Sequence, residues 1–423
     1  MLRPKELTES SAKHGDYDLI CDPRGYTTLL ATLFRHVRAE GALMIVDRTK
    51  PRKTIVRVWR ASVDNKVLIE IWTHLEIRFP GFLREGTGYI PAALVASHIV
   101  EDEQSIPVLA PLAGSLVYIT HLYHKTKDRS DPDVQSRMSY YASALDTAPA
   151  DATRGSERND TEAVYLQART LLRHVIDGRP LHSASREALE QLKRMGIKPE
   201  RGYFARIERL LWRIRRRVTR NKKPNMVAFV GPDGTGKSTV LRDLTQRLSD
   251  NRIFTVRFKS FYRYFLPVSY LMKRAAKKPG VKRNVAEEKY SSLMCTIALP
   301  TVLALRILLR RRVWLVDRYF YDYYYKGIRA KNATRFDYTL FATLFSRLVP
   351  RLHAMVVLHC PESQRQARKP RELRTDAAER LYDTYIQQIA KNRVRTALFV
   401  STRDDPGVTR QQISKVRDRI AEK

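Results

Sequence analysis

Two hydrophobic periods alternate along this chain. Between Asp16 and Ile77, short β-rich runs (Tyr17 to Cys21, Ala42 to Val46, Thr54 to Trp59, Val67 to Ile77) are separated by the turn signals Asp22-Pro23, Lys50-Pro51 and Asp64-Asn65. Tyr26 to Glu40 has helical spacing instead. This pattern predicts a small mixed α/β unit. Ala92 to Val100 and Val108 to His124 read as helices, punctuated by Pro91, Pro107 and Pro111, that would cover one face of its sheet. Asp146 to Asp160, rich in Ala, Thr, Asp and Ser, predicts a mobile loop, and Thr161 to Ile176 and Ser185 to Met195 predict two more helices.

From residue 226 onward the rhythm changes. Apolar runs at Met226 to Val230, Phe254 to Phe258, Val313 to Asp317, Ala354 to His359 and Thr396 to Ser401 have the length of buried strands. Helical patterns intervene, at Ser238 to Ser249 and Phe336 to Leu348 among others. Strands alternating with helices predict right-handed βαβ units around a parallel sheet. The fold class is therefore α/β, divided into a mixed α/β region over 1–145, a helical connector over 146–223 and a parallel-sheet domain with helices on both faces over 224–423.

The connector ends in an unusual segment. Ten basic residues crowd Arg201 to Lys223, while Phe204, Ile207, Leu211, Ile214 and Val218 fall on one helical stripe. Such a basic amphipathic helix suits an interdomain helix with a solvated basic back, or contact with an anionic membrane surface or nucleic acid. The whole chain leans the same way: 78 Lys and Arg against 44 Asp and Glu give a formal charge of +34, which points to an anionic partner without naming it. Leu293 to Leu309 is strongly apolar, but Pro300 and Arg306 and its short length favour a buried helix over a transmembrane segment. Three widely spaced cysteines argue against a disulfide framework, and the N-terminus lacks the apolar core of a secretory signal. These features predict a cytoplasmic protein, one that the basic helix could hold at the membrane periphery.

The chemistry concentrates after the strand at Met226 to Val230. Gly231-Pro232-Asp233-Gly234-Thr235-Gly236-Lys237-Ser238, followed by Thr239, fits G-x-x-x-x-G-K-[ST] between a strand and a helix. The glycines let the backbone turn tightly, so that amides point inward at a phosphate beside the positive end of the next helix. Lys237 adds charge for the outer phosphates, and the Ser238 hydroxyl is a magnesium ligand candidate. Asp317, at the carboxyl end of an apolar strand, is the candidate metal-side carboxylate, and Arg318 beside it could clamp a transferring phosphoryl group. Gln364 to Glu372 clusters Arg365, Arg368, Lys369 and Arg371 around a proline, which suits a lid over nucleotide phosphates.

Taken together, Gly231 to Ser238, Val316-Asp-Arg-Tyr319, and Val356-Val-Leu-His-Cys-Pro-Glu362 with its Arg-rich helix resemble the thymidylate kinase branch of the P-loop nucleoside monophosphate kinases, over roughly residues 224–423. The resemblance implies ATP and Mg2+ as cofactors and phosphoryl transfer to a small acceptor. It implies a sugar-hydroxyl contact for Asp233, a metal-side role for Asp317, a phosphate clamp at Arg318 and lid roles for Arg365 or Arg368. Two departures bear on the acceptor. Phe258-Lys-Ser-Phe-Tyr-Arg263 replaces the family's Arg-Glu-Pro-Gly, and Phe320-Tyr-Asp-Tyr-Tyr-Tyr-Lys326 replaces its Ser-x-x-Ala-Tyr-Gln segment. The acceptor pocket is thus rebuilt, leaving a nucleotide or another small phosphorylated or hydroxyl acceptor.

In the N-terminal region, Asp16 and Asp18 lie at i and i+2, on one face of a strand, and Glu70 could join them from a neighbour. Three such acids could hold two magnesium ions. This resembles the polymerase-β-like nucleotidyltransferases, although no G-[ST] motif precedes Asp16. Three functions follow: an ATP- and Mg-dependent kinase, a nucleotide-responsive binding module with an anionic partner, or nucleotidyl transfer by the N-terminal region.

Overall fold

Valine, leucine and phenylalanine on both faces of a strand leave it stable only inside a covered sheet, and the C-terminal runs form such strands. The computed structural model describes residues 16–50, 53–59, 66–79, 86–95, 98–101, 107–125, 130–147, 158–198, 226–247, 253–257, 302, 313–322, 349, 351–369, 375–391, 393–403 and 406–421. The basic segment 201–223, most of the apolar run 293–309, and the segments 258–263, 323–326 and 336–348 lie outside them. Among the described residues no helix is long and apolar enough to cross a membrane.

The chain divides into two compact units, one of Met1–Tyr26, Thr49–Thr54 and Leu68–Arg216, the other of Thr27–Arg48, Ile55–Val67 and Arg217–Lys423. In the first, β1 (Asp16–Ile20) pairs in parallel with β4 (Lys66–Trp72). Helices α3 (Pro111–Lys125), α4 (Pro132–Thr147), α5 (Arg158–Ile176) and α6 (Leu181–Arg194) pack around Leu116, Ile119, Leu122, Ala168, Leu172 and Leu189. The helix expected over 92–100 is cut to a single turn, α2 (Ala92–Val95). Ile99 and Val100, β-branched, instead enter a short antiparallel pair between β7 (Ile99–Glu101) and β8 (Pro107–Leu109). The run expected as one strand over 67–77 is β4 and then β5 (His74–Phe79), which pairs with β6 (Gly86–Pro91).

In the second unit, β9 (Met226–Val230) lies between β11 (Val313–Asp317) and β12 (Leu352–His359). β10 (Ile253–Arg257) continues beyond β11, and β13 (Val394–Ser401) beyond β12, all in parallel. The order reverses at β9, so the carboxyl end of β9 is the switch point at which such sheets bind ligands. Side chains alternate between faces. Val227, Phe229, Val356 and Leu398 meet α7 (Lys237–Arg247) and α10 (Pro406–Ala421) through Leu244 and Val416. On the other face the Phe34 ring of α1 (Pro23–Glu40) packs 4.8 Å from Phe399 and 5.0 Å from Tyr382 of α9 (Thr375–Ala390). Each such fully buried side chain contributes roughly 1.5–3 kcal/mol.

Helix α1 and the following β2 (Leu43–Lys50) stand close in sequence to β1, yet β2 pairs antiparallel with β13. Thr396 Oγ1 donates to Asp47 Oδ1 at 2.7 Å, and Arg57 of β3 (Lys53–Trp59) pairs with Asp47 Oδ2 at 2.7 Å. Local pattern specifies a strand; it does not specify the partner found some 349 residues away.

Candidate functional site

The turn after β9 depends on glycine. Gly231 has φ +143°, and a Cβ there would lie 2.5 Å from the Leu358 carbonyl oxygen of β12. Gly234 has φ +90°, with a would-be Cβ 2.9 Å from the Arg365 carbonyl oxygen. Both left-handed geometry and close backbone approach therefore exclude side chains at these points. Lys237 and Ser238 open α7, so their amides are among the first-turn donors that no intrahelical carbonyl satisfies.

Lys237 is buried, and its ammonium donates to the carbonyls of Gly231 (2.8 Å) and Pro232 (2.7 Å), with Asp233 Oδ1 at 3.5 Å. Burial, helped by the neighbouring Arg318 charge and opposed by Asp233, Asp322 and Asp317, lowers its pKa to about 8. A bound polyphosphate would favour the ammonium and raise that value. Triphosphate binding above pH 8 should then take up a proton at Lys237, and affinity should fall about tenfold per pH unit. Calorimetry at pH 9 in buffers of different ionisation heat should show this uptake; affinity unchanged from pH 7 to 9.5 would contradict it.

Asp317 ends β11 one strand away. Its Oδ1 is buried without a hydrogen-bond partner, in the same cleft as Lys237 and Ser238. An orphaned carboxylate oxygen is costly unless a cation completes it, so Asp317 and Ser238 fit a hard divalent ion. Arg318 then leaves the strand with φ +69°, the one non-glycine positive φ among the described residues, after its N–H donates to the Phe229 carbonyl at 2.9 Å. That conformation costs on the order of 1 kcal/mol. It carries the guanidinium to the Asp233 carboxylate, with Asp322 Oδ1 at 3.6 Å.

Asp322 is a residue that sequence reasoning passed over. It is 2% exposed. One carboxylate oxygen accepts the Tyr319 N–H at 3.1 Å, and the other accepts the Tyr385 hydroxyl at 2.6 Å. Tyr385 in turn accepts the Gly231 N–H at 3.2 Å. Burial raises the Asp322 pKa, while Arg318 and the Tyr385 hydrogen bond pull it down. This chain of contacts ties the first glycine of the loop to the segment after β11. Its only sequence signal was a lone acid among aromatics.

The two lid candidates separate. Both stand on α8 (Glu362–Arg368). Arg365 is buried, and Glu362, one helical turn earlier, holds its guanidinium at 2.9 and 2.5 Å. Arg368 lines the cleft and reaches the carbonyls of Gly234 (3.5 Å) and Thr402 (3.4 Å). Thr402 and Arg403, in the link from β13 to α10, are further cleft residues that no motif marked. Thr402 Oγ1 donates to the Thr235 carbonyl at 2.9 Å, bracing the loop. The cleft has a volume of about 700 Å³, within the range of small-molecule sites. Asp233, Gly236 and Thr239 complete its phosphate-loop side.

The acids of the N-terminal region are only partly visible. The backbone register sets Asp18 beside Glu70 and Asp16 beside Leu68. Side chains of Asp16 and Asp18 lie outside the described residues. The Glu70 carboxylate is paired with Lys53, whose ammonium also sits 4.4 Å from the centre of the Trp72 ring.

No family model matches the chain, and no curated protein matches it in sequence. Among solved structures, thymidylate kinase from Ehrlichia chaffeensis aligns over 97% of its own length and 45% of this chain, with 16% identity and a TM-score of 0.31.

Proposed function

We propose that the chain is an ATP-dependent phosphotransferase that moves the γ-phosphoryl group to a nucleotide or another small acceptor. One observation carries this reading: the phosphate loop, its buried lysine and the orphaned Asp317 oxygen open into one cleft at the switch point of the sheet. Loop amides and Lys237 would bind the donor phosphates. Arg318 and Arg368 would meet the charge that spreads over the transferring group, which fixed cations stabilise without reorganisation. Asp317 and Ser238 would hold magnesium, which when bound neutralises phosphate charge. Asp233, already paired with Arg318 and Lys237, would exchange those contacts for an acceptor hydroxyl.

Labelled ATP supplied with nucleoside monophosphates, sugars and sugar phosphates tests the proposal. One acceptor class should become labelled, and Asp317→Asn should lower that transfer about 10²-fold while raising the magnesium concentration needed for half-maximal rate. ATP binding with no labelled acceptor would favour the nucleotide-responsive module instead.

A further inference from the structure

Magnesium shared by Asp16, Asp18 and Glu70 would need each carboxylate open to the ion, and Glu70 is engaged elsewhere. Side chains alternate along β4: Ile69 and Ile71 are buried on one face, while Glu70 and Trp72, two residues apart, share the other. Lys53, the first residue of β3, reaches across that second face. Its ammonium pairs with Glu70 Oε2 and sits 4.4 Å from the centre of the Trp72 ring. The two charged side chains are only 12% and 19% exposed, so the pair is largely out of water. Neighbouring contacts fix where it forms. Thr54, next to Lys53, is buried, and its Oγ1 lies 3.0 Å from the Tyr26 hydroxyl. The Trp72 carbonyl accepts the Cys21 N–H at 3.0 Å, which ties the end of β4 to the link after β1.

An ammonium so placed already does for Glu70 what a metal ion would do, since it neutralises the carboxylate where little water remains to solvate it. A divalent ion brought to the same oxygen would meet a like charge at close range, and it would have to turn Lys53 away from the Trp72 face as well as from Glu70. The β1–β4 register sets Asp18 level with Glu70, so the ammonium stands where the two strands bring acids together. The donor set therefore does not fit the pair of magnesium ions that the nucleotidyltransferase resemblance implies. We propose that Lys53 is a built-in counter-ion in the place of a catalytic metal, and that the N-terminal region keeps its acids without metal-dependent nucleotidyl transfer. All of these residues belong to the first compact unit, and the phosphate loop to the second.

Manganese binding to the full-length chain without nucleotide, counted by loss of the free-ion electron paramagnetic resonance signal, tests the proposal. Glu70→Gln should leave the number of bound ions unchanged. Lys53→Met keeps the apolar stem against Trp72 and removes the charge. It should bind one ion per chain more than wild type, and adding Glu70→Gln to it should abolish that gain. A near-UV circular dichroism spectrum like that of wild type checks that Lys53→Met is folded. A fall in bound manganese in Glu70→Gln alone would mean that Glu70 already holds a metal and would overturn the proposal. Pyrophosphate release from ATP that Glu70→Gln abolishes would overturn it too. A folded Lys53→Met that gains no ion would overturn the role of Lys53.

Discussion

Lys237→Ala is expected to lower ATP turnover about 10³-fold without destabilising the fold. The two halves of this expectation have one cause. Burial, with the Arg318 charge beside it, depresses the pKa of the ammonium, so the fold bears a cost for keeping it charged. The folded value lies below the ordinary 10.5 of the unfolded chain. The cost is therefore largest below pH 8 and fades as pH rises toward the unfolded value. A group that costs stability and is retained is expected to act on ligand, and its removal exchanges activity for stability. Steady-state ATP turnover beside chemical denaturation at pH 7 checks both parts. Turnover within tenfold of wild type would remove Lys237 from the proposed site.

The second large effect is expected at Asp322. Asp322→Ala should destabilise the protein by about 3 kcal/mol, since it leaves the Tyr385 hydroxyl, the Tyr319 N–H and part of the Arg318 charge without their partner. Turnover should fall with it, because Arg318 would lose one of the carboxylates that its guanidinium meets. Tyr385→Phe removes only the hydroxyl and should cost about 1 kcal/mol. Urea midpoints of the two variants give the comparison. An Asp322→Ala midpoint equal to that of Tyr385→Phe would mean that the Tyr319 and Arg318 contacts add nothing to stability.

How much of this was legible in the chain depended on the range of the interaction. Strand β9, the loop at 231–238 and α7 follow one another directly, so spacing and glycine placement were enough to find them. The apolar runs gave β10 to β13 to within two residues, because strands buried on both faces carry that signal locally. The antiparallel place of β2 was not legible, since nothing near Leu43 names β13 as its neighbour. The Asp322–Tyr385 contact spans 63 residues and was hidden for the same reason. The difference between Arg365 and Arg368 turned on helix phase: Arg365 lies three residues from Glu362 and is captured by it, while Arg368 projects over Gly234. The helix expected over 92–100 failed because Ile99 and Val100 suit a hairpin as well as a helical stripe, and short apolar runs do not distinguish the two.

The antiparallel pairing of β2 with β13 also sets an order of events during synthesis. Asp47 leaves the ribosome 349 residues before Thr396, and at roughly 5–20 residues per second that gap lasts on the order of half a minute. Throughout it, Leu43-Met-Ile-Val46 has β3 on one side, and its other edge stays open. The nascent chain must shelter that open edge until β13 arrives, which makes this stretch a natural client for a ribosome-associated chaperone.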